Sequence, residues 1–251
     1  MNTDRIKQMS RRIPPLVLIV SIAASLAASL ALCACENVAG YTAPSLIRVI
    51  DASYTAPALN VSVENQMIAG NIGQGAVTAY GAIPASNGAS IVLASAANGS
   101  KLLSLIAPLV AARQNSIFIA DDASASSGYS ATILADQQIP AAAGLAAFRF
   151  LNQATKTGAV DIYMVPADST LADSVPLVTA LPVGNAAQYI SFAAKSVTMV
   201  VTPTGVIKPA YTSTVLPLSG GEVRTVLIMD SQLTSNPPVT AVIANDAGPA
   251  T

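Results

Sequence analysis

Two polar pairs recur in matching surroundings: Arg48 with Asn60, and Arg149 with Asp161. If the strands that carry them pair, each guanidinium would bind the carboxamide or carboxylate, or a nearby carbonyl. A bidentate Arg–carboxylate contact is strong when partly buried. Such pairs serve either as a fold-specific strand clasp or as the floor of a ligand pocket. The missing charge at Asn60 favours the clasp, because a shared ligand site would tolerate that loss poorly. Asp121, Asp122 and Asp230 sit at the ends of apolar runs, where loop oxygens could hold a hard cation. No D-x-D-x-D-G loop surrounds them, so turn-capping carboxylates are expected and no metal. Gly70-Asn71-Ile72-Gly73-Gln74-Gly75 lacks the Gly-Lys-Ser/Thr ending of a phosphate loop and reads as a hairpin or bulge region. Tyr80 and Tyr189 could stack on a sugar ring, but Trp, on which sugar platforms usually lean, is absent. They read instead as packing residues whose hydroxyls cap neighbouring carbonyls.

The absences bear on catalysis. The 251 residues include no His, which removes the commonest general base and metal ligand. Beyond the leader there is no G-x-S-x-G and no S-x-x-K. No catalytic constellation is legible, so the expectation is no enzyme and no cofactor. Charged residues make up 10% of the chain, against roughly 25% in typical soluble domains. No basic run exists to neutralise phosphates, so nucleic acid is not an expected partner.

Cysteine supplies the one reaction that the sequence points to. Residues 1–12 carry Arg5, Lys7, Arg11 and Arg12 against Asp4, and Ile13 to Ala34 hold no charge. A basic segment followed by an apolar one is the pattern of a secretory signal. The apolar stretch is also long enough to span a bilayer, so an uncleaved anchor is the competing reading. The stretch turns Ala/Ser-rich and closes on Leu32-Cys33-Ala34-Cys35, which resembles a bacterial lipobox. On that reading 1–34 is a lipoprotein signal peptide, Cys35 becomes the fatty-acylated (palmitate-type) N-terminus, and 35–45 is a tether. Glu36, rather than Asp, after the cysteine implies passage to the outer membrane. A multiply acylated cysteine holds a protein on a bilayer far more firmly than one chain would.

Beyond the tether the chain repeats itself. Leu46–Ser53 matches Ala147–Ala154, and Ala58–Val63 matches Ala159–Met164. Later, Thr78-Ala79-Tyr80 answers Ala187-Gln188-Tyr189, and Ser116–Asp121 answers Thr225–Asp230. Two tandem copies explain this most simply. Leu59, Val61 and Val63 alternate with Asn60 and Ser62, the period-two mark of a half-buried strand. Turn signals such as Ser86-Asn87-Gly88 and Ser219-Gly220-Gly221 separate many short runs, which predicts an all-β sandwich or barrel. Ser100–Ala112 and its counterpart Ser213–Leu218 both read as strand. The expected domains are 46–137 and 147–251, with 138–146 as linker.

A strand bearing Arg, an Asn- or Asp-Ala-Ser-like turn and an Ala-Pro-x-Val-Asp-Val-Tyr stretch recur over Arg48 to Val63 and Arg149 to Tyr163. The segments at Tyr80 and Tyr189 accompany them. The pattern resembles the bacterial domain of unknown function 4397 family. Copy one departs from it by Asn60 in place of Asp, and copy two by Gly158-Ala159 in place of Ala-Pro. The resemblance implies two tandem immunoglobulin-like β-sandwich domains outside the cytoplasm, and no activity. The expected role is a non-enzymatic envelope module held on the membrane through Cys35, binding an envelope protein or polysaccharide or serving as a spacer. A carbohydrate- or small-ligand-binding lipoprotein is the second reading.

Overall fold

In the computed structural model, residues 42–231 and 238–247 are described, and they contain no α-helix. The signal segment, Cys35 and most of the tether therefore lie outside the described residues. Residues 42 onward form one compact unit. It holds two sandwiches, so the all-β, sandwich-type reading of the sequence stands.

In copy one, β1 (Ser45–Asp51) lies parallel to β7 (Gln114–Asp121). β4 (Gly81–Ile83) flanks β1, and β8 (Tyr129–Ala135) flanks β7. The second sheet runs β3 (Gln66–Ile72), β2 (Leu59–Val63), β5 (Ser86–Ser95), β6 (Lys101–Leu109). Copy two repeats the plan. β9 (Leu145–Gln153) lies parallel to β16 (Val223–Asp230), with β12 (Asn185–Ala186) and β13 (Ile190–Ala193) on one side and β17 (Val239–Ala247) on the other. Its second sheet runs β11 (Val178–Leu181), β10 (Val160–Pro166), β14 (Val197–Pro203), β15 (Tyr211–Leu216). Both segments around 101–109 and 211–216 are strands, as the sequence predicts.

Period-two alternation decides what each inner strand buries. Ile47 and Val49 of β1, with Ile117 and Ile119 of β7, face the core of copy one. Phe148 and Phe150 of β9, with Val226 and Ile228 of β16, face that of copy two. The intervening residues point the other way, into a third core: Ile50, Phe118, Leu151, Leu227 and Met229 pack the two inner sheets on each other. Sheets buried on both faces read as near-continuous apolar runs. The order of layers is outer, inner, inner, outer.

The segment expected as a linker is built in. Gln138 accepts the Gln114 amide and donates to the Ala112 carbonyl. Ala141 packs with Ala147 and Val223, and its amide donates to Gly221. Gly144 has φ +75, and a Cβ on Gly220 would stand 2.8 Å from its nitrogen, so only glycine fits at 220.

Candidate functional site

The interface that joins the copies is not wholly apolar. The alternation that puts Ile50 and Leu151 in it also sends Arg48 and Arg149 there, 2% and 3% exposed. Parallel pairing sets Ser116 beside Arg48 and Thr225 beside Arg149. Each guanidinium then crosses to a carboxylate of the opposite copy. Arg48 forms an ion pair with Asp246 on β17, and Arg149 with Asp136, just past β8, at 2.5 Å. Both carboxylate side chains are fully buried.

Nearly every polar atom of the cluster is engaged. Arg48 Nε donates to Ser116 Oγ at 2.8 Å, and Nη2 to Thr225 Oγ1 at 3.3 Å. Arg149 Nη2 donates to Thr225 Oγ1 at 3.0 Å. Their Nη1 groups cap the carbonyls of Asn245 and Ala135. Asp136 Oδ2 accepts Ser116 Oγ and the Tyr80 hydroxyl, both at 2.7 Å. Asp246 Oδ2 accepts Thr225 Oγ1 at 2.6 Å and the Tyr189 hydroxyl at 2.8 Å. Each tyrosine ring also lies under the guanidinium of its own copy, 4.8 Å from centroid to Cζ. Burial pushes the Tyr80 hydroxyl well above its ordinary value, with Asp136 adding to the rise. Burial does the same for Tyr189, against the pull of Arg149. Both hydroxyls therefore stay protonated and donate.

Two expectations need correction. Arg48 and Arg149 meet each other's copy, not Asn60 and Asp161, because β1 and β2 fall in different sheets, as do β9 and β10. The tyrosine hydroxyls donate to carboxylates instead of capping carbonyls. Asn60 and Asp161 have a clasping task of their own. Asn60 Oδ1 accepts the amide of Asn71, and Asp161 Oδ1 that of Ala180, both residues at φ +50 on bulged edge strands. Asp161 Oδ2 also accepts Gly205 N.

The acids at the strand ends cap turns, as their surroundings suggest. Asp121 accepts the amides of Tyr54 and Thr55 and the hydroxyl of Ser53. Burial pushes its carboxyl up, but these hydrogen bonds outweigh that and leave it below its ordinary value. Asp122 caps Ser124, and Asp230 accepts from Thr155 and Lys156. Gly70–Gly75 closes β3 and leads to Gly75 at φ +82, a bulge-and-turn region. Among the described residues, no three His, Cys, Asp or Glu side chains gather as a metal group.

Sequence reasoning missed Asp136 and Asp246 as partners. The signal was spacing: Tyr80 and Asp136 stand 56 residues apart, and Tyr189 and Asp246 stand 57 apart. Two clefts open beside the cluster in related positions. One, of about 550 Å³, lies among Arg48, Tyr80, Thr78, Val242 and Asn245. The other, of about 270 Å³, lies among Arg149, Tyr189, Ile133 and Ala135.

Among known families, the model described as Domain of unknown function (DUF4397) matches residues 45–163. That stretch takes in the whole first sandwich, β9, and β10 as far as Tyr163. No curated protein matches the chain.

Proposed function

The chain belongs to the DUF4397 family through residues 45–163, and on that premise we propose that it is a lipid-anchored, non-enzymatic module of the cell envelope. Acyl chains on Cys35 would hold it at the outer membrane, and the double sandwich would act as a rigid body that binds or spaces other envelope components. The observation that carries this reading is the crossed Arg–Asp cluster. Four buried charged side chains, Arg48, Arg149, Asp136 and Asp246, neutralise one another across the interface between copies. They are spent on joining two sandwiches and are not presented to a substrate. The basic segment, uncharged stretch and Leu32–Cys35 support the anchor.

Replacing Cys35 tests the anchor. Cys35→Ser should leave an unprocessed precursor that takes up no labelled fatty acid. Normal labelling of that variant would remove the assignment.

The two related clefts favour a second reading, a carbohydrate- or small-ligand-binding lipoprotein. A thermal-shift screen against glycans separates the two. Stabilisation by a glycan that Tyr80→Phe or Tyr189→Phe abolishes supports binding, and no shift with any glycan supports the structural module.

A further inference from the structure

Each of the four sheets has two edges, and the edges are not treated alike. Natural sheets guard their edges with short strands, bulges, Pro or Lys. β4 has three residues, and β12 and β13 have two and four. β3 and β11 are bulged where they pair, and carry Asn71 and Ala180 at φ +50. β15 pairs through a register shift. β6 carries Lys101 and Pro108 and two register shifts.

β8 and β17 have none of these guards over seven consecutive pairs. β8 is Tyr-Ser-Ala-Thr-Ile-Leu-Ala, without charge or proline, paired to β7 in unbroken register. β17 runs unbroken from Val239 to Asn245 against β16 and is uncharged over that stretch. The charge that follows, Asp246, is turned into the buried cluster.

Antiparallel alternation fixes which backbone groups face outward. Asp136 N donates to Gln114, and Asp122 N to Gly128, so even-numbered β8 residues bond to β7 and Ala131 and Ile133 point away. Ser231 N donates to Pro238, which by the same count turns Ala241 and Ile243 outward on β17. The last outward carbonyls, of Ala135 and Asn245, are capped by the two arginines, and at the start of β8 the Ser127 hydroxyl donates to the Tyr129 carbonyl. Among the described residues, nothing pairs with the rest.

We propose that β8 and β17 are the surfaces by which copies of this chain join, edge to edge, in continuous sheets. The occupant follows from the edges themselves. What completes an uncharged, unbulged strand is another of the same kind, and each copy brings two, in related positions. A strand from a second chain also needs no charge complement, and the outward rows present only backbone donors and acceptors. The inference deepens the structural reading of the module by naming its partner.

Cysteine cross-linking of the full-length chain in intact cells tests it, with the parent chain as baseline. Thr132 is exposed on β8, and Thr240 lies on β17. Thr132→Cys with Thr240→Cys should give disulfide-linked dimers and longer ladders. Adding Ala131→Pro and Ala241→Pro removes an outward N–H from each edge and spares the ladders within the sandwich. These changes should lower the cross-linked product at least ten-fold. Ser130→Lys, which adds a charge on β8 and leaves both cysteines in place, should lower it in the same direction should a proline variant fail to fold. A chain that stays monomeric, or cross-links equally well with these changes, overturns the proposal, as does pairing of these edges only with a different protein. Fatty-acid labelling of the same cells keeps failure of the anchor separate from failure of the edges.

Discussion

The two sandwiches agree where they face each other and differ where they do not. Both inner sheets keep an arginine, a hydroxyl beside it, a tyrosine under it and a late aspartate that the other copy's arginine takes. The outer sheets have drifted. β2 and β3 are joined by a tight turn at Glu64 and Asn65, with φ of 49 and 64. The matching connection in copy two is longer, and its Leu171 packs on Tyr163, Val165 and Val200 on the outer face of its sheet. The constant part is therefore the joint, which points to the joint as what the repeat preserves.

Breaking the joint should have the largest effect. Arg48→Ala removes the ion-pair partner of the buried Asp246, and Arg149→Ala leaves the buried Asp136 only the longer contact to Arg48 Nε, at 3.8 Å. Loss of one partner from a buried pair costs about 3–5 kcal/mol. Urea unfolding should show a drop of that size for either variant, and a drop below 1 kcal/mol would mean that the cluster is incidental.

Asp51 and Asn152 occupy matching positions and both are buried. Asn152 donates to the carbonyls of Gly158 and Leu181 and accepts from Ala154. Asp51 accepts from Ser53 at 3.1 Å. Burial pushes its carboxyl up to about 6, with the charge of Asp121 adding to the rise against the Ser53 amide. The folded state thus holds this proton more tightly than the unfolded chain does. Its contribution to stability is fullest below pH 3.8 and is lost as pH rises through about 6. The gap between 3.8 and about 6 corresponds to on the order of 3 kcal/mol. Asp51→Asn should flatten the pH dependence of thermal stability across this window and raise stability at pH 7. An unchanged profile would remove Asp51 as its source.

Smaller effects should distinguish the outer sheets. Asp161→Ala frees two backbone donors and should cost about 1–3 kcal/mol, and Asn60→Ala, which frees one exposed donor, should cost less. Equal losses in thermal melts would contradict the ranking. Smallest is Ala180→Gly, which relieves a positive φ that Asn71 tolerates in copy one, for a gain of about 0.5 kcal/mol. A loss in the same assay would show that the bulge is not strained.

Much of this arrangement was legible in the sequence. The repeat disclosed two copies, and the alternation of Leu59, Val61 and Val63 disclosed a sandwich strand. Strand alternation also implied that Arg48 and Ile50 share a face, but not what covers it. Recurrence at matching places in the two copies suggested Asn60 and Asp161 as arginine partners. The chain instead passes to the outer sheet between β1 and β2, and the true partners lie at the far ends of the copies. Contacts closed at separations of 198 and 13 residues, both of them between copies, leave no local periodicity to read. The lipobox is the opposite case, being read from sequence alone and lying outside the described residues.

The joint is tested most directly by hydrogen exchange of Asp246→Ala, followed peptide by peptide by mass spectrometry. If the crossed pairs make one unit of the two sandwiches, protection should fall together in β1 and β7 of copy one and in β9 and β16 of copy two. Loss confined to copy two, with β1 and β7 protected as in the parent, would contradict the account.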